Sequence, residues 1–257
     1  MRVAVVGKGG SGKSVITGTL ARILARRGHR VLALDSDMQP GLALSLGAQV
    51  PDEPPLLAAA EQGENGRWHL RRGIGPARAV RRYATPAPDG VLLLQAGKAT
   101  PEGLGPVLPA INAFYAVIHR LDRPVSLSSW TILGDLSAGP RQMAFDWAPY
   151  AERLLVVAEP TSQGMLTARR IARIAGTRQR DVELLVNKCT AADDAARVGA
   201  YVGLRSLGEV PLDEAVMAAE RRGVAILDDA PEAPAVRAIE RLAERLAGDS
   251  LSAVRPR

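Results

Sequence analysis

Eight consecutive residues near the start of the chain constrain the fold more than any others. Gly7-Lys8-Gly9-Gly10-Ser11-Gly12-Lys13-Ser14 satisfies G-x-x-x-x-G-K-[ST], a phosphate-binding loop when it joins a strand to a helix. The flanks supply that context. Val3 to Val6 is an apolar run ended by glycine, which reads as a buried parallel strand. From Ser14 to Arg27, Ile16, Leu20, Ile23 and Leu24 recur at helical spacing, arginines fill the other face, and Gly28 supplies the stop. In such a loop the glycines let backbone N–H groups turn inward, and the helix N-terminus adds partial positive charge. The lysine then faces the β and γ phosphates and the hydroxyl ligates Mg²⁺. This assigns Gly9, Gly10, Ser11, Gly12, Lys13 and Ser14 to the nucleotide.

The pattern of apolar run and helical stretch repeats. Val31 to Leu34, Val91 to Leu94, Trp130 to Leu133, Leu154 to Ala158 and Leu184 to Val186 read as further strands, with helical patterns between several of them. The expected class is α/β: a mostly parallel central sheet with helices on both faces, three layers of the P-loop NTPase type. Residues 1–247 are expected to form one domain. Within it, residues 48–90 carry many prolines and glycines and read as an insertion or lid, with a short helix around Leu56 to Gln62. Ala235 to Leu246 reads as a closing helix, and residues 248–257 as a flexible tail.

Composition narrows the environment. One cysteine, Cys189, in 257 residues cannot build an intramolecular disulfide, a four-thiolate zinc site or an Fe–S site within one chain. That suits a cytoplasmic protein. The apolar N-terminal run is too short for a signal peptide, and no stretch is apolar enough for a membrane anchor. There are 33 basic and 27 acidic residues, a net charge of +6. Only Lys8, Lys13, Lys98 and Lys188 among the basic residues are lysine, so each merits inspection. Arg67, Arg71, Arg72, Arg78, Arg81 and Arg82 hold the whole surplus without an intervening acidic residue. This stretch is either a docking surface for an acidic client or nucleic acid, or a solvated face.

Lys-Gly-Gly-x-Gly-Lys-Ser, with Lys8 in its second position, resembles the deviant Walker A loop of the MinD/ParA superfamily of SIMIBI-class P-loop ATPases. The resemblance spans residues 1 to 47, 91 to 109, 130 to 139 and 153 to 247. It implies a nucleotide-sandwich homodimer in the ATP state, in which Lys8 reaches the partner's nucleotide and, with Lys13, stabilises the charge that develops there. Asp35-Ser36-Asp37 follows the second strand. By the resemblance Asp35 holds Mg²⁺-bound water, and Asp37 orients or deprotonates the attacking water. Asp135-Leu-Ser-Ala-Gly139 fits Asp-x-x-Ala-Gly, so that Asp135 belongs to the Mg²⁺ shell and the Gly139 N–H senses the γ-phosphate. Asn187, Lys188 and Pro211 are carried over as base contacts, and Thr190 in place of an aspartate favours adenine. Two departures stand out. The chain reads Asp37-Met38-Gln39-Pro40-Gly41-Leu42 where the family usually has Asp-Pro-x-x-Asn-Leu, and Val15 replaces a common hydroxyl residue.

Within the superfamily the chain looks most like the CooC-type accessory ATPases of carbon monoxide dehydrogenase. Leu92 to Lys98 matches their strand ending in Gly-Lys, but Gly103-Leu104-Gly105-Pro106-Val107-Leu108-Pro109 stands where they carry Cys-x-Cys. No nickel or zinc site is expected there, because proline and leucine offer no ligands. Nor is an Fe–S cluster of the nitrogenase iron-protein kind, which takes two cysteines per subunit. The resemblance implies a Mg-dependent, ATP-hydrolysing switch that serves an unidentified client as an accessory or maturation factor and turns over slowly until a partner stimulates it. Two alternatives stand beside it: a spatial organiser that binds DNA in the ATP state, and a regulatory module that holds nucleotide with little turnover.

Overall fold

The computed structural model describes residues 1–38, 41–98, 103–140, 147–176 and 181–252, with 249–252 traced by backbone alone. Eight strands form one sheet: β1 (Arg2–Gly7), β2 (Val31–Asp35), β5 (Thr85–Pro86), β6 (Leu92–Gln95), β7 (Thr131–Asp135), β8 (Arg153–Ala158), β9 (Asp181–Cys189) and β10 (Ser206–Pro211). Their order is β10-β9-β8-β1-β7-β2-β6-β5, all parallel except β5, which runs antiparallel to β6 at the edge. The expected α/β class is therefore observed. Each expected strand is present, and most extend a residue or more beyond their apolar run.

Strand β1 lies between β8 and β7 and is buried from Val3 to Gly7. Its successive side chains face opposite ways, so both faces must be apolar. Ala4 and Val6 join one core with Leu32, Leu34, Phe114 and Ile171. Val3 and Val5 join the other with Ile16, Leu20, Leu24, Val236 and Ile239. The helices supplying these layers are α4 (Leu108–Ile118) and α5 (Ser162–Gly176) on the first face, and α1 (Lys13–Arg26) and α9 (Pro234–Ser252) on the second. Helix α9 contains the expected closing helix and runs through the start of the expected tail; residues 253–257 lie outside the described set.

Helix α1 departs from a simple two-faced pattern, being buried from Ile16 to Leu24. Arg22, expected on the solvent face, is 2% exposed. Its guanidinium Nε donates to Asp89 at 2.6 Å, and its two terminal nitrogens donate to both oxygens of Asp228 at 2.6 and 2.7 Å. Asp89 sits in a left-handed turn at φ 60° just before β6, and Asp228 on α8 (Ile226–Asp229). A charge this deep is tolerated only when paired and hydrogen-bonded. The network thereby clips α1 between two segments distant in sequence.

The insertion also differs from expectation around Leu56 to Gln62. A 3-10 turn at Leu57–Ala59 leads into β3 (Ala60–Gln62), which pairs antiparallel with β4 (Trp68–Leu70) as a separate two-stranded sheet, followed by α3 (Pro76–Tyr83). Leu56, Ala59, Leu70, Ala79 and Val80 are buried in the core that contains Phe114 and Val117 of α4. The stretch was too short and too polar for its pairing to be read from periodicity, and burial against α4 settles it. The remaining helices are α2 (Gly41–Leu46), α6 (Asp194–Val202) and α7 (Glu214–Arg222). Among the described residues, no helix is long and apolar enough to cross a membrane.

Candidate functional site

The carboxyl ends of β1, β2, β7 and β9 converge on the loop between β1 and α1. Ligands of open parallel sheets bind at such an edge. The loop is shaped by close approach and by left-handed turns. A Cβ on Gly7 would lie 2.4 Å from the Val157 carbonyl oxygen, so the loop leaves β1 in contact with β8. Gly10 and Gly12 take φ 78° and 87°, conformations that glycine adopts without strain. Gly12 is the N-cap of α1, with no side-chain cap and no acidic residue in the first turn. The helix therefore presents N–H groups without a side-chain cap, and with them partial positive charge.

Two buried carboxylates face this terminus. Asp35 and Asp135 are 1% and 2% exposed at the ends of the paired strands β2 and β7, where they stand in register. The Ser14 hydroxyl donates to Asp135 Oδ2 at 2.5 Å, while among the described residues Asp135 Oδ1 and Asp35 Oδ2 have no hydrogen-bond partner. Burial pushes the Asp135 carboxyl up to about 6. Burial and the neighbouring Asp135 raise Asp35 well above the usual carboxylate range. Among the described residues, no group of three or more His, Cys, Asp and Glu is placed to hold a metal ion by itself. A hydroxyl and two unsatisfied buried carboxylates fit a hard divalent cation such as Mg²⁺ that keeps several waters and completes its shell with substrate phosphate. Asp35 Oδ1 accepts from the Asp37 N–H at 3.0 Å, and Ser137 Oγ donates to the Ser36 carbonyl at 2.8 Å, so the segments after β2 and β7 are tied together. Gln39 and Pro40, part of the altered segment after β2, lie outside the described residues.

The lysines are arranged by internal contacts. Lys13, 7% exposed, donates to the Lys8 carbonyl at 3.2 Å and so spans the loop. Lys8 Nζ is 3.7 Å from Glu159 at the end of β8. Lys188 Nζ donates to the other Glu159 oxygen and to the Gly10 carbonyl, both at 2.6 Å. Lys188 itself adopts φ 61°, uncommon for a residue other than glycine. Lys98 is exposed.

Asn187 and Lys188, the expected base contacts, also meet the loop. Asn187 Nδ2 donates to the Ser11 carbonyl at 2.7 Å, and a Cβ on Gly12 would come within 2.3 Å of that nitrogen. Both side chains line the cleft, but these donors hold the loop's outer turn in shape. Gly139 takes φ 91°, and its N–H donates to the Gly7 carbonyl at 2.9 Å.

A cleft of about 490 Å³ extends from the loop. Its walls include Gly9, Gly10, Gly12, Lys13, Ser14 and Val15, with Asp37 and Pro211. Beyond them Leu212, Val216, Met217 and Val224 form an apolar end that sequence reading missed. Leu212 and Met217 are 49% and 41% exposed. Such residues suit the faces of a flat heterocycle. Asp213 shapes this end by accepting from the N–H groups of Ala215 and Ala235, which fixes the starts of α7 and α9. Glu159 was missed too, although a carboxylate directly after the apolar run of β8 is the signal that found Asp35. Tyr115 on α4 is a third: its hydroxyl is pushed up to about 12 by burial and by Asp37. The Cys189 thiol is pushed up to about 11 by burial, which leaves it largely unionised.

A parallel sheet with this loop, its helix N-terminus and two buried carboxylates at the ligand edge defines a P-loop nucleotide-binding protein. The CobQ/CobB/MinD/ParA nucleotide binding domain matches residues 3–226, and the chain belongs to that family. It is 28% identical over 247 residues to the carbon monoxide dehydrogenase accessory protein CooC of Rhodospirillum rubrum, covering 90% of this chain and 91% of the relative. The light-independent protochlorophyllide reductase iron-sulfur ATP-binding protein of Rubrivivax gelatinosus is 24% identical, with 95% of this chain and 79% of the relative covered. Among solved structures, the cell division ATPase MinD of Pyrococcus furiosus superposes with a TM-score of 0.71 at 22% identity, covering 96% of this chain and 98% of that one. A ParA family ATPase from Chlorobium tepidum gives 0.72 at 19%, covering 95% and 98%. These likenesses carry the MinD-type fold.

Proposed function

We propose that this chain is a Mg-dependent ATPase that forms a nucleotide-sandwich homodimer and acts as an accessory or maturation factor for a client protein. The observation that carries the reading is the glycine-wrapped start of α1, with Ser14 on it, facing Asp35 and Asp135, each of which keeps one buried oxygen without a partner among the described residues. The cation would be held by Ser14 and, through water, by Asp35 and Asp135; when bound it neutralises phosphate charge. The triphosphate lies along the N–H groups of residues 9 to 15, with Lys13 beside the β and γ oxygens. Asp37 orients the attacking water and takes up its proton. Lys8 leaves Glu159 to add a positive charge to the nucleotide of the second protomer, in the manner of a cation supplied in trans. Adenine stacks in the apolar end formed by Pro211, Leu212, Val216 and Met217. Asn187 and Lys188 serve by holding the loop open for phosphate. Gly139 becomes a γ-phosphate sensor only on releasing the Gly7 carbonyl, which makes that exchange a step in closure.

Residues 1–247 act as one functional domain with 48–90 as an insertion, and the protein works in the cytoplasm, where a lone cysteine stays reduced. The accessory role is supported by the likeness to CooC over nine-tenths of the chain. Light scattering tests the dimer: Asp37→Ala with ATP is expected to give a stable dimer, and adding Lys8→Ala to abolish it. A monomeric Asp37→Ala protein with ATP bound would refute the sandwich.

A further inference from the structure

We propose that the arginine face of the insertion, formed by the β3–β4 hairpin and α3 around Trp68, is a docking surface for an acidic segment of a partner protein. The inference gives the client of the accessory reading a place to bind, and rests on that reading for the partner's role alone. Arg67, Arg71, Arg72, Arg78, Arg81 and Arg82 are all exposed. Among the described residues none of the six forms an ion pair, whereas Arg22, Arg26, Arg27, Arg153, Arg197, Arg222 and Arg237 each do. Outside these six the chain has 33 − 6 = 27 basic residues against its 27 acidic ones. Set against the bordering Glu61 and Glu64, the six arginines leave a net charge of 6 − 2 = +4 here, most of the chain's +6.

The face is firmly mounted. Ala79 and Val80 turn inward with Leu70 to join the core of Phe114 and Val117. Arg78, Arg81 and Arg82 stand at i, i+3 and i+4 on the outer side of α3 and so share one stripe. Trp68 is 37% exposed at the hairpin, and the Arg82 guanidinium lies 5.5 Å from the Tyr83 ring centroid. Exposed tryptophan and arginine on a rigid base are the residue types that dominate protein interfaces. Unpaired guanidinium forks match carboxylates two bonds at a time.

A protein partner fits better than nucleic acid. Exposed Glu61 and Glu64 border the patch on the hairpin, and Glu61 Oε2 lies 3.4 Å from the Arg72 N–H. Carboxylates and an exposed tryptophan interspersed among the guanidinium groups suit a segment that alternates acidic and apolar side chains better than an unbroken row of phosphates.

The test is fluorescence anisotropy with a short, labelled Glu/Asp peptide carrying one leucine, titrated with the full chain at low salt. Arg71→Glu/Arg78→Glu/Arg81→Glu is expected to weaken binding at least about tenfold. Arg169→Glu/Arg170→Glu/Arg173→Glu on the exposed side of α5, with the same change in net charge, is expected to leave it near wild type. ATP turnover should be equal in all three proteins. Absence of peptide binding to the wild type, or equal weakening by the α5 control, overturns the proposal. So does displacement of the peptide by a duplex oligonucleotide at lower concentration than by unlabelled peptide. If turnover is missing while the peptide result holds, the ATPase reading fails and the docking surface stands.

Discussion

Asp135→Asn should stabilise the protein without nucleotide while impairing its chemistry. The Asp135 carboxyl moves from 3.8 to about 6 on folding. At about 1.4 kcal/mol per pKa unit, ionising it in place costs the native state about 3 kcal/mol above that pH. Because the folded value is the raised one, the stability linked to the neutral form is complete below the unfolded pKa and is lost as pH rises through 6. Asparagine removes the charge and can still accept from Ser14 Oγ. Its amide N–H groups face the position of Asp135 Oδ1, which has no partner among the described residues, and an unsatisfied donor there returns about 1 kcal/mol. The net gain at pH 8 is therefore about 2 kcal/mol, or about 4 to 8 °C in Tm for a chain of this size. It should shrink to about a third at pH 5, and at pH 4, where only about 0.6 kcal/mol of the ionisation cost remains, the variant should be slightly less stable than wild type, by about 0.4 kcal/mol. Urea denaturation of the metal-free protein at those pH values measures it, and ATP turnover of the same variant should fall sharply. Destabilisation at pH 8, or a change independent of pH, would refute the reasoning.

Two further substitutions probe the frame around the site. Arg22→Ala should cost about 2 to 3 kcal/mol, less than for a fully buried pair because Asp89 and Asp228 keep part of their water; a shift in urea midpoint worth under about 1 kcal/mol would contradict the clip. Gly134→Ala places a Cβ within van der Waals overlap of the Tyr150 hydroxyl. It should destabilise by about 1 to 3 kcal/mol, and adding Tyr150→Phe should recover part of that loss in a double-mutant cycle.

The loop and its flanks were legible because their determinants are local. Apolar run, glycines and helical spacing lie within Val3 to Gly28, and each specifies its own backbone. The carboxylates were legible in a second way: Asp35 and Asp135 each end an apolar run, and a parallel sheet carries every such end to one edge. The β3–β4 hairpin was not legible, since three-residue strands give periodicity nothing to work on and are held by α4. Arg22 was misread for the opposite reason. Its spacing puts it on the polar side of α1, but that side is covered by Asp89 and Asp228, which no local pattern announces.

The sequence by itself determined that this chain builds a P-loop on a parallel sheet, because a strand, a glycine-rich turn and a helix N-terminus are specified by neighbours along the backbone. Only the tertiary structure decided what each charged group meets. Ser14 finds Asp135, 121 residues away, and Asn187 holds the Ser11 carbonyl from 176 residues away. Lys8 and Lys188 share Glu159, and the six arginines of the insertion are left exposed. Electrostatic partners depend on distance in space and on access to water, and the chain fixes neither until both faces of its sheet are covered.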